Sequence, residues 1–336
     1  MQRRISIVCI ILLSACIDAI DPETSEYDRI LVVEGLITNQ RGPWTIKLSS
    51  TTGIGDVFTV PETDARVIIR IESGARIDLI ETSPGIYENW PGPGVVGQVY
   101  VLEVQRSNGE FYQSSREEMR PLPPIEKMYA EHFVDVDVAD GIRTERNGFR
   151  VYIDFTDLPQ RGDYIRFKSV GGIEELFTQM PTDLNPPPPC CYICYQRYDT
   201  FDRGIFLFDD FHFNGNTIQR FPLFPVGGLR KGRMLIRVQA ASLTPSAYTF
   251  WNQLKTQVES QGTIFDPPPL NIRGNISSID GSEKVALGYF GVSAVHTETL
   301  MLKRTDFPQV IGNPVPIGNC LSIYPESTEV VPREFQ

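Results

Sequence analysis

From Tyr27 to Arg120 apolar and polar residues alternate in short runs, each cut off by Gly, Pro, Asn or Ser. Successive side chains of a strand point to opposite faces, so such runs make strands with one buried side. Residues 30–38 open the series, Asn39-Gln40-Arg41-Gly42-Pro43 interrupts it, and 44–49 resume it. Further runs occupy 66–72, 76–81, 85–87 and 98–104, and Asn108-Gly109 marks a hairpin into Phe111-Tyr112-Gln113. This density of short strands predicts an immunoglobulin-like or prealbumin-like β-sandwich over 30–120.

Pro121-Leu122-Pro123-Pro124 then reads as a stiff linker, because proline fixes φ and removes donors. A chain of 336 residues exceeds the usual size of one core, which favours a second domain over 125–336. That region is also β-rich, with alternating runs at 148–156, 163–168, 234–240 and 285–293. One helix stands among them, over about 246–260. Thr244 is its N-cap and Pro245 its first residue, and Ala247, Phe250, Trp251, Leu254 and Val258 form one apolar stripe suited to packing on a sheet. The expected fold class is mainly β, a sandwich followed by a larger β-rich domain with one packed helix.

The first residues carry an address. Arg3 and Arg4 precede a nine-residue apolar run, 5–13, too short to span a bilayer and suited to a signal peptide over 1–15. It ends in Leu13-Ser14-Ala15-Cys16, similar to a bacterial lipobox, in which the cysteine thiol takes up diacylglycerol. Cys16 is therefore the expected lipidation site. Asp18, Asp21, Glu23, Glu26 and Asp28 make 16–29 an acidic tether. It resembles the signal by which Bacteroidetes lipoproteins reach the outer face of the outer membrane; a periplasm-facing position is the alternative. Without the signal the chain carries 29 basic and 42 acidic residues, a net −13. Such a surface is repelled by nucleic acid and by anionic lipid, leaving the lipid as anchor.

Four cysteines remain: Cys190, Cys191, Cys194 and Cys320. In an oxidising envelope they read as two disulfides, one local to the 190–194 loop and one tying it to Cys320. A zinc site is disfavoured because Cys320 has no paired neighbour. Tyr192, Tyr195, Tyr198 and Phe201 stud the same loop and are binding candidates for a protein or glycan partner, or else a cover for the core. Asp209, Asp210 and His212 share a short run, but with no third carboxylate in view they make no convincing metal site, and none is expected. Hydrolase elbow, zinc-protease and P-loop motifs are absent, so neither a cofactor nor catalytic residues are assigned.

The opening 30–39 and 48–51, the Cys190-Cys191-Tyr192-Ile193-Cys194 segment, and the helix around Phe250-Trp251 together resemble one family. So do Phe265-Asp266-Pro267-Pro268-Pro269, Gly274-Asn275-Ile276 and Leu287-Gly288-Tyr289-Phe290. It is the Bacteroidetes outer-membrane lipoprotein family called domain of unknown function 4249. The resemblance implies an outer-membrane lipoprotein, often encoded near TonB-dependent transporters, with no established activity. The expectation is a non-enzymatic accessory partner of such a transporter in substrate capture. A surface adhesion or structural module is the second reading, and an envelope glycan hydrolase the third.

Overall fold

The computed structural model describes residues 29–52, 59–139, 142–180, 192–202, 204–227, 232–260, 272–279, 284–307 and 315–336. The chain is mainly β, as expected.

Its first nine strands are β1 (Leu31–Thr38), β2 (Trp44–Ser50), β3 (Val60–Pro61), β4 (Arg66–Ile71), β5 (Arg76–Ser83), β6 (Ile86–Asn89), β7 (Val99–Gln105), β8 (Phe111–Ser114) and β9 (Glu117–Glu118). Then come β10 (Ile125–Ala139), β11 (Ile142–Thr156), β12 (Tyr164–Thr178), β13 (Tyr192–Tyr198), β14 (Phe206–Asp209), β15 (Thr217–Gly227) and β16 (Arg233–Leu243). The helix α1 (Pro245–Glu259) follows, then β17 (Ile276–Ser278), β18 (Leu287–Ser293), β19 (Val295–Lys303), a short α2 (Cys320–Ile323) and β20 (Ser327–Thr328).

The first sheet runs β17-β8-β7-β4-β5-β6-β2-β1-β18. β5 pairs with both β4 and β6, and the two halves close over one core. Trp44 of β2 meets Tyr100 of β7 edge-on within it, ring centroids 5.7 Å apart. Alternation explains this core: Trp44, Ile46 and Leu48 point inward, Thr45 and Lys47 outward.

The sandwich is not confined to 30–120. β17 and β18 come from after the helix, so the expected contiguous division at 121–124 is corrected. β18 lies parallel to β1, with Val33 opposite Gly288 and Gly35 opposite Phe290. The Asn275 side chain bridges to β18, donating to Phe290 O and accepting from Phe290 N, both at 2.9 Å. Gly288 is required here: its φ is +85° and a Cβ would fall 2.0 Å from Val33 O. Parallel partners need a long crossover, and the second unit supplies it.

That second unit packs the sheet β10-β11-β15 against β19-β16-β12-β13-β20, with β14 on β12. Its core is aromatic; Phe155 lies 5.0 Å from Phe208 and 5.9 Å from Phe167, centroid to centroid. The proline linker sits between the cores, with Leu122 touching both. Ser242 ties the junction: its hydroxyl donates to Arg120 O at 2.7 Å and accepts from Ala294 N at 2.9 Å. Among the described residues no helix is long and apolar enough to cross a membrane.

Candidate functional site

A cleft of about 580 Å³ lies between the outer faces of the two units, under α1. That volume suits a small molecule. On β12, Ile165 and Phe167 enter the core, so Arg166 and Lys168 must face the other way, into the cleft. On β1 and β2 the same alternation turns Glu34, Leu36, Thr45 and Lys47 towards it. Phe250, Trp251 and Leu254 of α1 form another wall.

The electrostatics are one-sided. The Arg166 guanidinium stacks on Trp251, 3.4 Å from the ring centroid. Its Nε is buried with no hydrogen-bond acceptor among the described residues. Burial pushes Arg166 down to about 10. Lys168 is also lowered, first by burial and then by the charge of Arg166. Glu34, the one carboxylate lining the cleft among the described residues, is exposed and pairs in register with Lys47. Two desolvated cations without a carboxylate partner among the described residues are costly in a folded chain and are relieved by an anion.

The helix wall is fixed at its N-terminus. Thr244 accepts from Ala247 N at 3.2 Å and donates to the buried Glu117 carboxylate at 2.6 Å. Glu117 also accepts from Ser115, Ser246, Asn275 and Tyr289. A carboxylate at a helix start suits the helix dipole, and here it joins α1 to the first sandwich. Burial, and then the Glu117 charge, raise the Tyr289 phenol well above its usual value. Tyr248 stacks on Tyr164 at 4.5 Å and donates to Asp209 at 3.0 Å.

A family profile described as "Domain of unknown function (DUF4249)" matches residues 17–299. The chain belongs to the DUF4249 family. No curated protein and no solved structure matches it.

In this DUF4249 member the sequence-derived candidates are distributed differently from expectation. Cys194 bonds Cys320 across 126 residues, which is the bridge tying the loop to the C-terminal segment. Cys194 is thereby unavailable for the local bridge that was also expected. Cys16, Cys190 and Cys191 lie outside the described residues. The four rings do not form one exposed aromatic surface, because 192–198 is a strand. Tyr195 faces opposite to Tyr192 and Tyr198; it is 5% exposed, packs edge-on against Phe335 and donates to Glu175. Tyr192 packs on the Cys194–Cys320 cluster, and Tyr198 packs on Phe201, 5.1 Å away.

Asp209, Asp210 and His212 do not converge. β14 ends at Asp209, Asp210 is buried, and His212 stands exposed on the following turn. The helix stripe packs as expected at Ala247, Phe250 and Trp251. Val258 is corrected: the last turn is exposed from Thr256 onward, and Val258 is 62% exposed. The cleft cations were in plain view as the polar positions of 163–168, but outward-facing positions usually mean solvent. The covering helix gives them their role.

Proposed function

We propose that the protein is an outer-membrane lipoprotein, lipidated at Cys16, that serves as a non-enzymatic partner of a TonB-dependent transporter and captures a small acidic substrate. The cleft carries this reading. It offers two cations without carboxylate partners among the described residues, beside an aromatic wall, which is a binding arrangement. Glycoside hydrolysis would need two carboxylates about 5–10 Å apart, and Glu34 alone lines this cleft among the described residues. Family membership and the acidic tether support the location.

The test is purification of the tagged full chain from outer membranes in mild detergent. A TonB-dependent barrel should co-purify, and Cys16→Ser should release the chain from the membrane fraction. A wild-type chain that never co-purifies with a barrel would remove the transporter partnership. Surface placement predicts that protease added to intact cells cleaves the chain; full protection would place it facing the periplasm.

A further inference from the structure

Away from the cleft, Asp157, Asp163 and Asp210 place one carboxylate oxygen each within 4.8 Å of one another. Asp157 follows β11, Asp163 precedes β12, and Asp210 follows β14. They are 4%, 5% and 4% exposed. The backbone holds them together: Asp210 N donates to Asp163 O at 3.3 Å, and Asp157 N to Asn216 O at 3.0 Å. Gly162 N donates to Asp210 Oδ2 at 2.7 Å, and Gly215 N to Asp157 Oδ2 at 3.1 Å.

Those contacts leave acceptors unused. Asp163 is aimed into the group with its Oδ2 buried and without a hydrogen-bond partner among the described residues, and Asp157 Oδ1 is in the same state. Asn214, next to Gly215, also has a buried Oδ1 with no donor among the described residues. Among the described residues no lysine or arginine forms an ion pair with any of the three. The Arg120 guanidinium donates to Gly162 O and acts on Asp163 only through space. Three buried carboxylates this close cannot all carry charge without a counter-ion, since each uncompensated charge costs several kcal/mol. A proton can relieve part of this, and a divalent cation can relieve most of it.

The donors are hard oxygens with no imidazole or thiolate among them, which selects calcium over zinc or copper. We infer that Asp157, Asp163 and Asp210 form a calcium site that pins the 158–162 loop to the 211–215 turn. The adjacent Asp209 holds Tyr248 of α1, so the site buttresses the helix that walls the cleft. This inference is independent of the proposed transport role.

The test is calorimetric titration of chelator-treated full-length protein with calcium chloride alone, with magnesium chloride as a parallel arm. Calcium should bind with one-to-one stoichiometry and raise the thermal midpoint by a few degrees at saturation. Asp163→Asn should abolish both effects, and Asp210→Asn should do the same if the first variant folds poorly. Wild-type protein with no binding heat, and with one midpoint in chelator and in about 5 mM calcium, overturns the inference. An equal response to magnesium overturns the assignment to calcium.

Discussion

The Glu117 carboxylate accepts the Thr244 hydroxyl at 2.6 Å, joining a two-residue strand of the first sandwich to the cap of α1. Among the described residues every donor on Glu117 is neutral, so these hydrogen bonds hold the carboxylate without an ion pair. Glu117→Gln keeps the shape but replaces an acceptor with an amide donor facing other donors. The expected cost is about 2–4 kcal/mol, because a buried polar group loses its match. Thermal unfolding should show the midpoint several degrees lower. A wild-type midpoint would mean that this junction contributes little.

Removing the Cys194–Cys320 bridge should cost about 2–4 kcal/mol, since it closes a long loop. It also secures the C-terminal segment, where β20 pairs with β13 and Phe335 packs on Tyr195. Cys320→Ser should therefore speed amide exchange in 320–336 before it affects the first sandwich. Uniform protection in wild type and variant would count against that order.

Much of the fold was legible because alternation fixes which face of a strand is buried. Trp44, Ile46, Tyr100 and Leu102 are placed by period alone. Alternation does not choose partners, and it was silent on β18 returning to lie beside β1. Gly274, Asn275 and Gly288 carried the trace of that return, as a close backbone approach. The same limit applies to the acidic group. Asp157 and Asp163 flank one loop in sequence, but they meet Asp210 only because β14 pairs with the start of β12. Tyr195, one of the four rings offered either as a partner surface or as a cover for the core, takes the covering role, and a loop reading of 192–198 carries no alternation that could separate it from Tyr192 and Tyr198.

Arg166 should trade stability for binding. Its charge is desolvated without a carboxylate partner among the described residues, and replacement of such a charge by an apolar side chain of similar length is often stabilising. Arg166→Met should raise the unfolding free energy by about 1–3 kcal/mol while removing affinity for acidic solutes. Urea denaturation and ligand titration of one preparation check both halves. A destabilised variant would show that the stacking on Trp251 outweighs the desolvation.

Two groups give the metal-free protein opposite responses to acid. Glu110 is held down to about 2, first by the Lys284 ammonium and then by Asn108 and Arg106 against burial. Its folded value lies below its usual 4.5, so its stabilisation is complete above that pH and is lost as pH falls towards 2. Asp163 is pushed up to about 6 by burial and then by the charges of Asp157 and Asp210, with Arg120 opposing. Between about pH 4 and 6 the native state therefore binds more protons here than the unfolded chain, and stability falls as pH rises. Each contribution amounts to at most about 3 kcal/mol. Urea denaturation in chelator from about pH 2.5 to 7 separates them by variant, because the two windows barely overlap. Glu110→Gln should flatten the acid limb alone, and Asp163→Asn should flatten the limb between about pH 4 and 6 alone. If Asp163→Asn leaves that upper limb unchanged, the three carboxylates do not repel one another as their geometry requires.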